Sequence, residues 1–169
     1  MLSIVQYPAE VLLRPTEPVT RFCSQLHTLV AEMFETMYAN DGIGLAATQV
    51  GIGIRLAVLD ISFGKDPSAK MVLVNPFVAE TDGRQYRLEG CLSVPDFRES
   101  VMRPNQVIVQ TQDINGNSIQ VTGKGLLAVC LSHEIDHLNG QLYLDRLPKE
   151  RRAVVRRQVM RALEKQAAS

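Results

Sequence analysis

The chain contains no tryptophan, and only 5% of its 169 residues are aromatic. Proteins that hold single-stranded nucleic acid without regard to sequence stack the bases on aromatic side chains. A chain this poor in aromatic residues offers few such platforms. We therefore expect no DNA among its partners.

Long apolar runs are also absent. The first ten residues, "MLSIVQYPAE", have neither the basic start nor the apolar stretch of a secretory signal peptide. No segment approaches the ~18–20 apolar residues needed to span a bilayer. The three cysteines are an odd number, and without a secretory signal they favour thiols or metal ligands over disulfides. We expect a cytoplasmic protein with no membrane partner.

The apolar residues that are present follow recognisable periods. Helical spacing between Thr20 and Asn40 predicts an amphipathic helix, and a second helix is predicted from Gly125 to Leu138. The runs "RLAVLDI" and "KMVLVNP" indicate buried strands, and "TDGRQYR" after them indicates a loop. The alternating segment "NQVIVQTQDINGNSIQVTG" predicts a hairpin that turns at Asn-Gly. A last amphipathic helix is predicted after Pro148.

The order of these elements predicts the fold class. Several strands come before the second helix, without the regular alternation of strands and helices that builds a parallel sheet. We predict an α+β fold, with mainly antiparallel sheets packed around a central helix and with a C-terminal helix. At 169 residues, the chain is long enough for one domain with a sizeable core.

The predicted central helix, "LLAVCLSHEIDHLNG", holds two of the three histidines. Residues four apart share a helix face, so His133 and His137 can point two imidazoles at one metal ion. Glu134 can reach a water at that ion without binding the ion itself. This H-E-x-x-H arrangement is typical of metal-dependent hydrolases in which the glutamate is the general base. The alternative, two surface histidines, is disfavoured because the preceding apolar run predicts a buried helix.

A catalytic metal ion usually has three protein ligands and one open position, so a third ligand is expected. The longer pattern H-E-x-x-H-x-x-G-x-x-H would end at position 143, where this chain has Tyr143 instead of histidine. His27 lies on the predicted first helix, where a surface position is favoured. Glu150 and Glu164 belong to a basic C-terminal segment in which burial is not expected.

Cysteine is the remaining candidate for the third ligand. Cys130 and His137 are separated by about 10 Å of helical rise, so one ion cannot easily collect both of them together with His133. Cys130 is better interpreted as part of an apolar wall. Cys91, in "LEGCLSVPD", lies at a strand end or loop from which a thiolate could approach the helix, but an ordinary buried cysteine explains that stretch equally well. A Cys–His–His set would suit zinc or ferrous iron.

Three segments together resemble the signature motifs of the bacterial peptide deformylases: "GIGLAATQVG" (42–51), "EGCLSVP" (89–95) and "HEIDHLNG" (133–140). They stand in the family's order and at its spacing, and the similarity extends over most of the chain. The resemblance implies a metal-dependent hydrolase that removes the N-formyl group from the N-terminal methionine of nascent polypeptides and releases formate. Its partners would be N-formylmethionyl peptides.

The resemblance also implies roles for individual residues. The residues that match the family's metal ligands are Cys91, His133 and His137. Glu134 would be the general acid and base, while the Gln49 amide and the backbone N–H of Leu92 would face the formyl oxygen. In the family, the physiological ion is typically Fe²⁺, and Zn²⁺ or Ni²⁺ can occupy the site in purified protein.

The substrate needs an apolar slot for a methionine side chain. The residues that the resemblance places around this slot are Ile43, Gly44, Leu126, Val129 and Cys130. Three of them share a helical stripe with His133, although plain core packing would also explain that stripe. Arg98 is a candidate contact for the peptide backbone. The family commonly has glutamine where this chain has Ser132, which can alter hydrogen bonding around the ligands and hence metal preference.

The segment from Lys149 to Lys165 holds seven basic and two acidic residues. We expect it to form a basic C-terminal helix, about 149–166, of a single catalytic domain that spans residues 1–169. A solvated helix face explains this composition, and an electrostatic contact with ribosomal RNA is the alternative.

Two other functions compete with deformylation. A general H-E-x-x-H metallopeptidase would share the histidine helix, but it would not require Cys91, Gln49 or the glycine-rich first segment. A non-enzymatic metal-binding or ribosome-associated module would bind metal without needing Glu134 for turnover. The response to N-formyl-methionyl peptides and to replacement of Glu134 separates these functions.

Overall fold

The computed structural model describes residues 1–168. Within them the chain forms three helices: α1 (Ser24–Ala39), α2 (Leu126–Leu138) and α3 (Lys149–Ala167). It also forms seven strands: β1 (Gly44–Ala46), β2 (Leu56–Leu59), β3 (Met71–Asp82), β4 (Gln85–Cys91), β5 (Val94–Arg103), β6 (Gln106–Gln112) and β7 (Ser118–Lys124). Across these residues, no helix is long and apolar enough to cross a membrane.

The strands pair antiparallel in two sheets. Five of them form a sheet in the order β1-β2-β3-β6-β7, and β4 and β5 form a separate two-stranded sheet. The strands β6 and β7 are the predicted hairpin, with Gln112 paired to Ser118 across the turn. The predicted α+β class with mainly antiparallel sheets is confirmed.

The five-stranded sheet is covered on both faces by helices. Successive side chains of a strand point to opposite faces, and β2 follows this rule. Leu56 and Val58 pack in the cluster that contains the buried face of α1. Ala57 and Leu59 pack in the cluster that contains the apolar residues of α2. Both faces of β2 are therefore buried, which explains why its sequence is a continuous apolar run instead of an alternating one.

The helix α2 is buried on nearly every side, with ten of its thirteen residues buried. Strand β7 approaches it closely at Gly123, where a β-carbon would lie only 2.6 Å from Cδ1 of Leu131. Any larger residue there would force Leu131 or the strand to move, and the backbone nitrogen of Ala128 lies only 3.1 Å from the same point. The polar side chains of α2 are consequently held inside the protein.

The helix α3 lies over the two-stranded sheet. Val155 and Val159, at 0% and 1% exposure, pack in a cluster with Val94 and Val101 of β5. Basic side chains of α3 also pair with acidic ones of the body, as Arg151 does with Glu99. Apolar anchoring on one side and ion pairs at the edge fix the position of this helix.

One segment differs from its predicted structure. "TDGRQYR" was expected to be a loop, but its ends belong to β3 and β4, and only Gly83 and Arg84 connect them. The polar residues of this hairpin are mostly exposed, so no buried face produces the alternation that marks a strand in the sequence.

Candidate active site

Cys91 is brought to the site by an irregular strand end. The pairing of β4 with β5 changes register between Gly90 and Cys91, from Gly90 opposite Arg98 to Cys91 opposite Val94. Such a bulge re-aims a side chain at the end of a strand. The Sγ atom of Cys91 lies 3.2 Å from Nε2 of His137.

The two histidines of α2 present their Nε2 atoms to the same point. These atoms are 3.2 Å apart, and the ligand atoms of Cys91, His133 and His137 all lie within 4.8 Å of one another. Donors bound to one ion at 2.0–2.3 Å in a tetrahedral arrangement would be roughly 3.4–3.6 Å apart. One thiolate and two imidazoles at this separation fit a divalent transition-metal ion.

The protonation of the two imidazoles is set by different neighbours. Burial, followed by the positive charges of His133 and Arg103, lowers the pKa of His137 well below its usual value, so this ring stays neutral, as a metal ligand must. The pKa of His133 is instead raised well above its usual value. Burial alone would lower it, but hydrogen bonds to Cys91 and Glu89 outweigh the effect of burial. The Nδ1 atom of His133 lies 2.9 Å from Oε2 of Glu89.

Glu134 is buried, at 4% exposure, beside the histidine pair. Among residues 1–168 its Oε2 atom has no hydrogen-bond partner. Burial is the main cause that raises the pKa of Glu134 to about 7, while the positive charges of His133 and Arg103 oppose the rise. A carboxyl group with a pKa near neutrality can both accept and return a proton at physiological pH.

Gln49 faces the same point from the other side. It lies in a 3₁₀ turn, Ala47–Val50, that follows β1. Its Oε1 atom accepts a hydrogen bond of 2.9 Å from the backbone N–H of Ala46, which turns Nε2 towards Sγ of Cys91 at 3.4 Å. The amide is therefore oriented with its donor group aimed at the site.

These groups lie at the base of a cleft of about 1000 Å³. Eleven of the twelve predicted site residues line it: Ile43, Gly44, Gln49, Cys91, Leu92, Arg98, Leu126, Val129, Cys130, His133 and Glu134. The twelfth, His137, lies beneath the cleft at 0% exposure. The structure thus brings the whole predicted set together around one cavity.

Cys130 forms part of the apolar wall and not part of the ligand cluster. Burial, followed by the negative charges of Glu134 and Glu89, raises the pKa of its thiol to about 12. The thiol therefore stays protonated at neutral pH, which agrees with its prediction as an apolar wall. The two other cysteines, Cys23 and Cys91, are also free thiols.

Sequence reasoning assigned no role in the site to three residues at or behind His133. Glu89 contacts His133, and Arg103, at 1% exposure, contacts Glu89. Tyr143, considered only as a position without histidine, stacks against the His133 ring at a centroid distance of 6.1 Å. The one available indication was that the matching motif begins with an acidic residue, Glu89, two positions before Cys91.

The antiparallel fold and a buried glutamate beside a Cys–His–His cluster define a metal-dependent hydrolase. The chain belongs to the peptide deformylase family, since the family model described as Polypeptide deformylase matches residues 1–153. The peptide deformylase of Acidobacterium capsulatum is 48% identical over 156 residues, which are 92% of each chain. That of Hahella chejuensis is 47% identical over 98% of this chain and 95% of its own. The crystal structure of the Legionella pneumophila enzyme matches with a TM-score of 0.91 at 41% identity, over 100% of this chain and 99% of that one.

Family membership confirms the predicted activity. Peptide deformylases are metal-dependent hydrolases that remove the N-formyl group from nascent polypeptides, an N-terminal processing step of protein biosynthesis. The alternative of a general H-E-x-x-H metallopeptidase is not favoured, because the similarity includes the segments outside the histidine helix. The cluster of Cys91, His133 and His137 agrees with a metal-dependent reaction.

Proposed function

We propose that Cys91, His133 and His137 hold one divalent metal ion and that Glu134 is the general acid and base of deformylation. The observation that supports this most directly is the convergence of one Sγ and two Nε2 atoms within 4.8 Å, beside a buried carboxyl group. The donor set is one that zinc and ferrous iron accept. For the ion present in the cell we propose Fe²⁺, with Zn²⁺ or Ni²⁺ able to take its place in purified protein.

The ion, when bound, would acidify a water molecule and polarise the formyl group as a Lewis acid. Glu134 would accept a proton from the water molecule that attacks the formyl carbon. It later returns a proton to the nitrogen of the departing amine. A pKa of about 7 suits both steps, because neither protonation state is strongly favoured at neutral pH.

Two donors stabilise the oxyanion that forms from the formyl oxygen. We assign this role to the Gln49 Nε2–H, which lies 3.4 Å from Sγ of Cys91, and to the backbone N–H of Leu92; both residues line the cleft. Gln49 is held in its orientation by Ala46 before the substrate arrives. Donors oriented in advance stabilise the transition state without a cost of reorganisation during the reaction.

The methionine side chain of the substrate lies in the apolar part of the cleft. We propose that this slot is lined by Ile43, Gly44, Leu126, Val129 and Cys130. Arg98, which is exposed at the cleft and belongs to β5, contacts the peptide backbone. The substrates are N-formylmethionyl peptides, and the products are formate and a peptide with a free N-terminus.

A glutamine replacement separates metal binding from turnover. Glu134→Gln keeps the size of the side chain but cannot exchange the proton, so formate release from an N-formyl-methionyl peptide falls by at least about 100-fold while bound metal stays near one per chain. Glu80→Gln, on an exposed part of β3, is the control and keeps full activity. Undiminished formate release by Glu134→Gln, or cleavage of an internal peptide bond without formate release, would overturn the proposal.

Residues 1–169 form one catalytic domain in this proposal, and its basic C-terminal helix, about 149–166, contacts ribosomal RNA. The support is electrostatic: Lys149, Arg157 and Arg161 lie on α3, outside the apolar stripe of Val155 and Val159. Co-sedimentation with ribosomes should weaken as salt rises and after removal of the helix beyond Pro148. Salt-independent co-sedimentation would exclude this contact. The proposed location is the cytoplasm, which agrees with three free thiols.

A further inference from the structure

We propose that Glu89 and Arg103 are positioning residues that fix the tautomer and orientation of His133, and thereby set the affinity of the site for its metal ion. This inference rests on the proposed function, because it takes His133 to be a ligand. Neither Glu89 nor Arg103 belongs to the proposed ligand set, and neither is the proposed acid–base group, Glu134.

The Glu89 carboxylate determines which nitrogen of His133 carries the proton. Its Oε2 atom lies 2.9 Å from Nδ1 of His133, and a charged carboxylate can only accept, so Nδ1–H donates. In the neutral ring that a metal ion requires, Nε2 then carries the lone pair, and it lies 3.2 Å from Nε2 of His137. A carboxylate behind a ligating histidine also makes the imidazole a stronger donor to the metal ion.

Arg103 holds Glu89 in a fixed place. Its Nε donates to Oε1 of Glu89 at 2.7 Å and its Nη2 donates to Oε2 at 2.9 Å, which is a two-point contact between planar groups. A buried carboxylate that faces a guanidinium at two points is held as the charged partner of an ion pair. It cannot rotate without breaking one of three hydrogen bonds.

The remaining donor of Arg103 reaches the histidine helix itself. Its Nη1 lies 2.5 Å from Oδ2 of Asp136, a residue of α2 one position before His137. Asp136 in turn accepts from the guanidinium of Arg146 at its outer side. Arg103 thus ties strand β4, which bears Glu89 and Cys91, to the helix that bears both histidines.

The second histidine lacks such support. Over the part of the chain that the structure describes, Nδ1 of His137 is buried without a hydrogen-bond partner. The Tyr143 ring, stacked against His133, adds a further restraint to that first ring only. The alignment of His133 by Glu89 is accordingly the main side-chain restraint on the orientation of the imidazole pair.

A purely structural ion pair would behave differently from a positioning one. Loss of a structural contact lowers the melting temperature and leaves the metal affinity of the folded protein unchanged. Loss of a positioning contact lowers the affinity of the folded protein, because the imidazole must be ordered when the metal binds. Outer partners of metal-bound histidines typically contribute 10–100-fold in metal affinity.

The test compares Glu89→Gln with Glu99→Gln. Glu99 lies opposite Glu89 in the β4–β5 pair and accepts two hydrogen bonds from Arg151 at the surface. Glu99→Gln therefore also removes an arginine–carboxylate contact, but one that does not involve His133. Zinc and cobalt(II) affinities are measured by competition with a chelator, and the visible spectrum of bound cobalt reports the geometry of its ligands. We expect Glu89→Gln to bind both ions about 10–100-fold more weakly with an altered cobalt spectrum, and Glu99→Gln to match the wild type.

Two lysine variants test the two-point contact by a milder change, which is less liable to disturb folding. Arg103→Lys keeps the charge but loses the two-point contact, and Arg151→Lys is its surface counterpart. Both are checked by circular dichroism, and affinities are calculated for the folded fraction. Glu89→Asp keeps the carboxylate and is expected to recover part of the metal affinity that Glu89→Gln loses. Equal affinities for wild type, Glu89→Gln and Arg103→Lys would overturn the positioning role.

The proposed ligand set is tested in the same titration. Cys91→Ser and His133→Ala must weaken binding severely if the ligand set is correct. Should these variants bind metal as the wild type does, the proposed function fails first. If they lose metal while Glu89→Gln retains full affinity, the ligand set stands and only the positioning role is wrong.

Discussion

Gly44 of β1 packs directly against the carboxylate of Glu134. A β-carbon on Gly44 would lie 2.9 Å from Cδ of Glu134, closer than real β-carbons approach other atoms, and 3.1 Å from Cγ, which is tighter than most real contacts. Glycine at this position therefore leaves the space that the proposed acid–base group occupies. The same absence of a side chain keeps the backbone of β1 open to the cleft.

Replacement of Gly44 by alanine should abolish most of the activity. The added methyl group displaces the Glu134 side chain, and misplacement of a general acid and base costs about 10²–10⁴-fold in rate. We expect formate release to fall by at least about 100-fold while metal content stays near that of the wild type. The measurements are kcat/KM with an N-formyl-methionyl peptide and metal analysis of the purified variant.

Gly53 provides the matched control for this substitution. A β-carbon there meets no atom within 4 Å, and its backbone does not require glycine. Gly53→Ala should keep activity within about 2-fold of the wild type, because an unhindered surface substitution has little effect. Wild-type turnover by Gly44→Ala would show that the contact with Glu134 has no catalytic importance.

Gln49→Glu should remove a donor without disturbing the fold. The backbone N–H of Ala46 still finds an acceptor in the carboxylate, so the turn after β1 is maintained. The group facing the site changes from an N–H donor to an oxygen that can only accept, and it faces the Cys91 sulfur. We expect kcat to fall by about 10²–10³-fold, the usual effect of losing one oxyanion donor.

The kinetic measurement for Gln49→Glu is a full titration of the formylated substrate. Gln120→Glu, at an exposed amide that pairs with Gln110, is the control and should leave both kcat and KM unchanged. An unchanged kcat in Gln49→Glu would mean that this amide does not contact the developing negative charge.

Metal removal should lower the melting temperature of the protein. A ligand at 100 times its dissociation constant stabilises the folded state by about 2.7 kcal/mol, and each kcal/mol shifts the melting temperature of a chain this size by about 2–4 °C. We expect dialysis against a chelator to lower the midpoint by roughly 5–10 °C and added Zn²⁺ to restore it. Differential scanning calorimetry measures both changes.

Cysteine variants determine whether this stabilisation comes from the proposed site. Cys23 is exposed and lies at the start of α1, so Cys23→Ser should keep the full response to zinc. Cys91→Ser should lose most of it, because a serine hydroxyl is a poor substitute for a thiolate ligand. Equal responses in both variants would place the stabilising ion elsewhere.

Local patterns made much of this fold predictable. The helices α1 and α2 were recognised from 3.6-residue spacing, and the β6–β7 hairpin from alternation around Asn-Gly. His133 and His137 are four residues apart on one helix, so their shared direction follows from helix geometry. These features depend on residues that are close in the sequence.

The remaining parts of the site depend on contacts between distant residues. Cys91 meets His137 across 46 positions, and residue types alone left its role open until the family motifs were considered. Arg103 meets Glu89 and Asp136 across 14 and 33 positions, and no local period marks a buried arginine. Only the pairing of β4 with β5 and the packing of α2 bring these charges together.

Asp60, directly after β2, is a fully buried carboxylate with several donors around it. It accepts hydrogen bonds from the Tyr38 hydroxyl at 2.6 Å, from the backbone and side chain of Ser62, and from the backbone N–H of Gly64. Burial would raise the pKa of Asp60, but hydrogen bonds, those from Ser62 and Tyr38 foremost, outweigh it and lower the pKa to about 2.

Asp60 should therefore stabilise the fold at neutral pH and lose that effect in acid. An aspartate in the unfolded chain has a pKa near 3.9, so the contribution is complete above about pH 4 and disappears as the pH falls towards 2. Urea unfolding of Asp60→Asn at pH 7 should show a loss of about 1.5–3 kcal/mol, the range for hydrogen bonds to a charged group. The difference from the wild type should narrow between pH 4 and pH 2, whereas Asp82→Asn, at an exposed position, should stay close to the wild type throughout. A deficit in Asp60→Asn that is constant with pH would show that the carboxylate charge is not what stabilises this turn.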